Sequence, residues 1–276
     1  MVFRKNFIYF LILITISVWL AVFTIDDNLH VIACDVGQGD AILIQKNTTQ
    51  VLIDGGPNNS VLNCLGKYMP FWDRQIELVI LTHPEADHYT GLIEVFKKYK
   101  VNYFGQNNTI SISQGYGVLE KVVGGSATQD LKLSKGVGLG VGMIYLDILN
   151  PVDGYKNLLT NKQTSGTNDN GVVVLLTYAQ FKALFTADVE NEVSGELSEN
   201  VKIQNLDYIK VNHHGSKNGL SEKLLQAGMP KTAVISVGEK NSYGHPHMEI
   251  LEMLTKYNVN ILRTDEMGNV DYEVRN

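Results

Sequence analysis

Hydrophobic and polar positions divide the chain into one long apolar block and then a series of short apolar runs broken by polar turns. Phe7 to Ile25 (FIYFLILITISVWLAVFTI) carries no charge over about 19 residues, the length a helix needs to cross a hydrocarbon core. From Leu29 the runs shorten and become β-rich. Leu29–Cys34, Ala41–Lys46 and Gln50–Ile53 predict strands, separated by Gly-Gln-Gly-Asp and Asn-Thr-Thr. Ser60–Tyr68 sets Val61, Leu62 and Leu65 at helical spacing, and Leu78–Leu81 predicts a buried strand. Leu92, Val95, Phe96 and Tyr99 then predict a helix whose N-terminus lies near His88. Residues 105–142 are Gly-rich and weakly patterned, which predicts only a few short elements around a loop.

Met143–Leu149 predicts a strand, and the polar, turn-rich interval Asn150–Asn170 a surface loop. Val172–Thr177 and Phe181–Thr186 read as strands joined by a hairpin turn at Tyr178-Ala179-Gln180. Leu206–Val211 and Ala233–Val237 read as strands, and Leu220–Ala227 as a helix. A further helix is expected from Pro246 to about Tyr257, since proline suits a first helical turn. Asn260–Arg263 and Val270–Val274 close the chain as strands. Strands lead each half and strand–helix alternation follows. That order predicts an α/β fold, an αββα sandwich of two mixed β-sheets flanked by helices.

Composition adds three constraints. The 276 residues suit one large α/β domain after the apolar block, which sets expected boundaries at 1–27 for an anchor or signal segment and 28–276 for the domain. Arg4 and Lys5 precede the block and Asp26 and Asp27 follow it, so the positive-inside bias places the domain outside the cytoplasm. An uncleaved single-pass transmembrane helix is favoured over secretion after signal cleavage, because the run is long and no small-residue cleavage site follows it. The net charge of -6 argues against broad adhesion to nucleic acid, although a metal site supplies local positive charge. Cys34 and Cys64 form no CxxC pair, so they are expected as buried free thiols, with a disulfide as the alternative outside the cytoplasm.

Chemistry gathers at the ends of the apolar runs. His83, Glu85, Asp87 and His88 stand directly after Leu78–Leu81, and Asp54, Asp188, His213/His214 and His245 each lie at or beyond the end of another run. Strand ends on one edge of an open α/β sheet converge on one crevice, so these side chains are expected to meet. Nitrogen and carboxylate donors without sulfur suit Zn²⁺, Mn²⁺ or Fe²⁺, in number enough for two ions. His247 is expected at a helix surface and His30 in a structural role. Asp35 and Asp40 fit a turn or a chemical role equally, and Asp265 fits a turn.

The motifs Asp35-Val36-Gly37-Gln38-Gly39-Asp40-Ala41, Leu52-Ile53-Asp54-Gly55-Gly56 and Thr82-His83-Pro84-Glu85-Ala86-Asp87-His88 with Gly91 carry a resemblance. So do Asn168-Asp169-Asn170, Phe185-Thr186-Ala187-Asp188, Lys210-Val211-Asn212-His213-His214-Gly215-Ser216, Asn241-Ser242-Tyr243-Gly244-His245-Pro246 and Arg263-Thr264-Asp265-Glu266. In these pieces, in this order, the chain resembles the metallo-β-lactamase fold superfamily. Within it, the chain resembles the hydrolase domain of the DNA-uptake protein ComEC and its stand-alone relatives. The resemblance implies that Asp87 and His88 bind one metal, with Asp188 bridging and one of His213 and His214 completing the site. His213 is preferred because it comes first after the strand. His83 is implied as ligand of a second ion, with Glu85 where the superfamily has histidine and ComEC-type domains usually have aspartate. No histidine lies between His88 and His213, and Asn168 or Asn170 stands in that interval. Asp54 is implied to orient ligands, as Asn170 is from nearby.

The expected function is a membrane-anchored, metal-dependent hydrolase, a phosphodiesterase or nuclease using a metal-bound hydroxide and two divalent ions, Zn or Mn. Asp87 and His245 carry its catalysis, and Ser216, Tyr243 and His245 contact a nucleic-acid or other phosphodiester substrate. The membrane is met through the N-terminal helix, and no protein partner is deducible. Two other classes stand beside it. One is a metallohydrolase of a lactone, an amide or a cell-wall phosphocholine ester. The other is a non-catalytic anchored module with a degenerate metal site.

Overall fold

A computed structural model describes residues 2–23, 26–109, 111–152 and 167–275, with side chains in the first segment from residue 5 to 19. In chain order, α1 (Val2–Phe23) precedes β1 (Leu29–Ala33), β2 (Ile42–Lys46), β3 (Thr49–Ile53), α2 (Ser60–Tyr68), β4 (Gln75–Leu81), α3 (Ala86–Lys98), β5 (Lys100–Gln106), α4 (Gln114–Gly124) and β6 (Gln129–Lys132). The second half holds β7 (Gly138–Val141), β8 (Ile144–Asn150), β9 (Val173–Tyr178), β10 (Phe181–Phe185), α5 (Asn191–Leu197), β11 (Tyr208–Lys210), α6 (Glu222–Gly228), β12 (Thr232–Ile235), α7 (Met248–Lys256) and β13 (Asn260–Arg263). After α8 (Thr264–Met267), β14 (Val270–Val274) returns to pair with β1.

Two mixed sheets of seven strands result, ordered β14-β1-β2-β3-β4-β5-β6 and β13-β12-β11-β10-β9-β8-β7. Each is parallel in one half, β3 to β6 and β10 to β13, and antiparallel in the other. The alternation of side chains explains why the strands read as continuous apolar runs. In β2, Ile42 and Ile44 face the core between the sheets, while Leu43 faces the layer under α2 and α3. In β3, Val51 and Ile53 face the first core and Leu52 the second. A third core lies under α5, α6 and α7 on the far sheet. Strands buried on both faces lose the polar half of their period, and each buried aliphatic side chain contributes ~1.5–3 kcal/mol.

Five expectations need adjustment. First, α1 forms, but among the described residues no helix is long and apolar enough to cross a membrane. Where the transmembrane span was expected, the structure has the apolar helix Val2–Phe23. Second, Cys34 and Cys64 are not free thiols. They form a disulfide with a Cα–Cα separation of 5.8 Å, because the end of β1 and the inner face of α2 pack into one core. Third, residues 105–142 are more regular than their pattern shows. The edge strands β6 and β7 are mostly solvent-facing and carry no strong alternation, while α4 buries only Tyr116, Leu119 and Val123.

Fourth, α7 starts at Met248, not Pro246. His247 is its N-terminal cap residue, and the cis-linked Pro246 sits against Gly215, where a Cβ would come within 2.6 Å of the proline ring. Fifth, most of the expected loop, residues 153–166, lies outside the described residues, and Thr167–Asn170 forms a 3₁₀ turn.

Candidate metal centre

The first sheet brings Asp54, His83 and His88 to its carboxyl edge. After β3, Asp54 takes a left-handed conformation (φ 60°) and is fully buried. Its carboxylate accepts hydrogen bonds from Thr82 N at 2.8 Å, Thr82 Oγ1 at 2.7 Å and His88 Nδ1 at 2.8 Å. The Thr82 hydroxyl, donating to Asp54, is left to accept from His83 Nδ1 at 2.9 Å. Both imidazoles are thereby fixed through Nδ1, and both Nε2 atoms are buried without a hydrogen-bond partner. The start of α3 is clamped to the Gly55-Gly56 turn by Gly55 N to His88 O at 2.7 Å and Gly91 N to Gly56 O at 2.9 Å. Gly91 is required there, since a Cβ would lie 2.0 Å from Gly55 O.

The second sheet supplies Asp188 after β10 and the histidine pair after β11. His213, His214 and Gly215 are left-handed in succession, with φ of 48°, 52° and 82°. Non-glycine residues there carry strain, and such strain clusters at functional sites. This turn sends His214 inward, with its side chain 2% exposed, and leaves His213 at 27%. His214 Nδ1 donates to Ser236 O at 2.9 Å, so a third Nε2 is buried and unpartnered. The expected preference for His213 is therefore reversed by backbone conformation.

These groups converge. Asp188 Oδ2 lies 3.3 Å from His88 Nε2 and 3.2 Å from His214 Nε2, and Asp87 Oδ2 lies 3.5 Å from His214 Nε2 and 3.9 Å from His88 Nε2. Two ligands ~2.1 Å from a tetrahedral ion stand about 3.4 Å apart. Asp87, His88, Asp188 and His214 thus have the spacing of one divalent-ion site, and the Nδ1 hydrogen bonds of the two histidines aim their Nε2 atoms into it. Burial opposes charge on His88, but Asp188 and Asp54 outweigh it and raise its pKa well above the usual histidine value. Burial likewise opposes charge on His214, yet Asp188 and Asp40 hold its pKa up at about 9. Asp87 is held down at about 2, where the His214 hydrogen bond and the charge of His88 overcome burial. A cation is the charge this cluster of carboxylates is built to receive.

Lys210 is a residue that sequence reasoning missed, and Asp40, expected in a turn or a chemical role, stands beside it at the site. Asp40, His88, Asp188 and His214 offer donor atoms within 4.8 Å of one another. Asp40, however, approaches the Nδ1 side of both rings, 3.9 Å from His88 Nδ1 and 3.6 Å from His214 Nδ1, so it backs the site from behind. Lys210 is buried between Asp40 and Asp188, bonded to Asp40 Oδ2 and 3.2 Å from Asp188 Oδ1. Against burial, the charges of His214, Lys210 and His88 hold Asp188 ionised. The available signal was a lysine inside the apolar strand Tyr208–Lys210, whose residues are all buried. For Asp40 the signal was the preceding glycine. Gly39 has φ 142°, and a Cβ there would lie 2.3 Å from Asp87 O, so only glycine lets this loop reach α3.

The other expected residues are placed as follows. His83 is buried with its ring centroid 4.1 Å from that of His88, but Glu85 is 42% exposed and its Oε2 stands 3.9 Å from His83 Nε2. Among the described residues no third His, Cys, Asp or Glu donor joins them within ligand spacing. Asn170 contributes its backbone carbonyl to Asn107 Nδ2, which orders the loop. Ser216 lies in a turn, its Oγ accepting weakly from Asn218 N at 3.4 Å. His245 stands one ring beyond the donor group, 5.8 Å from His213 by centroid, with the exposed Tyr243 stacked on it at 5.7 Å and His247 at 5.1 Å. Burial and the neighbouring imidazoles His214, His213 and His247 push the His245 pKa down to about 4. His30 bonds Asp26 and Asp271, and Asp265 pairs with Arg263.

Comparison with known proteins agrees with this architecture. Residues 34–137 match the family model of the metallo-β-lactamase superfamily. The chain is 28% identical to ComE operon protein 3 of Bacillus subtilis over 262 residues, 88% of this chain and 32% of that protein. It is 27% identical to Recombination protein 2 of Haemophilus influenzae over 242 residues, 86% of this chain and 28% of that protein. The chain therefore spans about a third of the length of these curated relatives. Among solved structures, the metallo-β-lactamase fold protein YhfI of B. subtilis aligns over 89% of this chain and 100% of its own, at TM-score 0.61 and 13% identity. A diphosphatase of the PhnP family aligns over 89% and 98%, at TM-score 0.53 and 12% identity. With its two mixed sheets, outer helices and buried donor group at the strand ends, the chain is a metallo-β-lactamase-fold protein with relatives of the ComE operon protein 3 type.

Proposed function

We propose that this protein is a metal-dependent hydrolase of phosphodiesters, with nucleic acid as the leading substrate class. The observation that carries the reading is the convergence of Asp87, His88, Asp188 and His214 at ligand spacing, with both Nε2 atoms buried. These four residues would hold one divalent ion, Zn²⁺ or Mn²⁺, and His83 with Glu85 a weaker second. A bound ion supplies Lewis acidity toward a phosphoryl oxygen and activates water at neutral pH.

The chain's own groups do the rest. Asp54 and Ser236 O fix the tautomers of His88 and His214, and Lys210 helps keep Asp188 ionised as a ligand. His245, neutral near pH 7, is placed to hydrogen-bond a phosphoryl oxygen or accept a proton at the mouth of the site. Phosphoester chemistry draws support from the diphosphatase sharing the fold, and nucleic acid from the name of Recombination protein 2. Extracytoplasmic placement draws support from the Cys34–Cys64 disulfide, since such bonds persist in oxidising compartments. Attachment to a bilayer through α1 draws support from its exposed apolar side chains on every face, among them Phe7, Phe10, Leu13, Ile14 and Val18.

The test is hydrolysis of bis(p-nitrophenyl) phosphate by the full chain with Zn²⁺ or Mn²⁺. Asp87→Ala and Asp188→Ala should each abolish it. Wild-type protein inert toward every phosphoester with both metals would sink the phosphodiesterase reading. Turnover of a lactone or β-lactam instead would keep the metal centre and move the substrate.

A further inference from the structure

The parallel strands give the sandwich two chemically different ends. Asp54, His83 and their partners lie at the carboxyl ends of β3 and β4. The opposite end carries the start of β4, the start of β5 and the last turns of α2 and α3. There the loop Pro70–Asp73 exposes two adjacent aromatics, Phe71 at 78% and Trp72 at 43%. Lys67, Arg74, Lys97, Lys98 and Lys100 are all exposed around them. Lys100 N donates to Arg74 O at 2.8 Å, which ties the two segments side by side.

The nearby acids offset this charge only in part. Glu94 pairs with Lys97, Asp73 is turned inward to Gln50 and Gln75, and Glu77 bonds the same two residues, so the five bases still outnumber the three acids. A protein of net charge -6 thus concentrates basic and aromatic residues on one small face. The chain from α1 arrives at this same end. Asp27 is held by Lys46 at the close of β2, and Leu29 opens β1 opposite Lys46.

We propose that this aromatic-basic end is a docking face for an anionic lipid bilayer, seated on the membrane that α1 enters. The inference rests on the reading of α1 as a membrane attachment. Exposed Trp and Phe flanked by Lys and Arg suit the headgroup layer, where rings sit at the interface and cations meet anionic lipid. Asp26 stands three positions after Phe23, the last residue of α1, so the helix and this face are close along the chain. Docking fixes the orientation of the site. β4 runs seven residues from Gln75 at this face toward His83, which places the donor group about 23 Å above it, pointing away. The site then faces water, on the side of the domain away from the bilayer.

Trp19 and Trp72 are the two tryptophans of the chain, so each can be read alone. The full chain carrying Trp19→Phe is reconstituted into phosphatidylcholine/phosphatidylglycerol vesicles with or without brominated acyl chains. Trp72 emission should shift to the blue, lose intensity with brominated lipid and resist aqueous iodide. Lys98→Glu with Lys100→Glu should reverse all three changes while leaving the circular dichroism spectrum intact. Trp72 quenched by iodide and untouched by brominated lipid would overturn the docking face. In that case the Trp72→Phe protein reports on Trp19: quenching by brominated lipid leaves α1 in the bilayer, and its absence removes the membrane reading itself. Loss of DNA binding in the charge-reversal variant, with lipid quenching unchanged, would also overturn the proposal by assigning the face to nucleic acid.

Discussion

Metal binding at the donor group should be strongly proton-linked through His214. In the metal-free protein its pKa stands at about 9, because Asp188 and Asp40 outweigh burial. An ion that takes Nε2 must displace the proton held there. From pH 9 down to pH 7 this single group should weaken apparent affinity about 100-fold, or ~2.7 kcal/mol at 1.36 kcal/mol per unit. His88, also raised, adds in the same direction. Titration calorimetry with Mn²⁺ at several pH values, in buffers of different ionisation enthalpy, measures both the affinity and the protons released. Affinity changing less than about tenfold between pH 7 and 9, or proton uptake on binding, would refute the electrostatic account. The same shift has a stability consequence with a fixed sign. A histidine whose folded pKa lies above its unfolded value of 6.5 stabilises fully below 6.5. That contribution is lost as pH rises through about 9. Metal-free protein should lose on the order of 3 kcal/mol across that window from this group, visible as a falling Tm.

Other substitutions separate roles. His214→Ala should abolish stoichiometric metal binding by equilibrium dialysis, whereas His213→Ala should retain it, because His214 Nε2 is buried 3.2 Å from Asp188 Oδ2 while the more exposed His213 stands 3.9 Å away. Asp54→Asn should leave the fold intact and weaken metal affinity ~10–100-fold, the usual cost of removing the partner that orients a ligand. Replacing Cys34 and Cys64 by serine opens a loop of 30 residues, and guanidinium unfolding should report a loss of about 3.7 kcal/mol by the chain-entropy relation. Gly91→Ala drives a methyl group into Gly55 O and should cost ~1–3 kcal/mol or more, with metal affinity falling alongside as α3 shifts away from the Gly55-Gly56 turn.

What the sequence by itself determined is the layering and the edge at which the chemistry sits. β2, β3 and the later half of β4 are legible because a strand covered on both faces leaves an unbroken apolar run. His83, Asp87, His88 and Asp188 are legible because they follow such runs directly, and strand ends on one edge must converge. The edge strands β6 and β7 are not legible, since solvent on one side and glycine in the other remove the alternation. Tertiary structure alone decided which histidine of the pair turns inward, that Lys210 and Asp40 lie behind the site, and that Cys34 reaches Cys64. The physical reason is common to all three. A side chain's direction after a strand depends on the φ of the turn it enters, and here that turn is left-handed over His213 and His214. Whether Asp40 meets Lys210, or one thiol the other, depends on how elements far apart in the chain pack, and local periodicity carries no record of that packing.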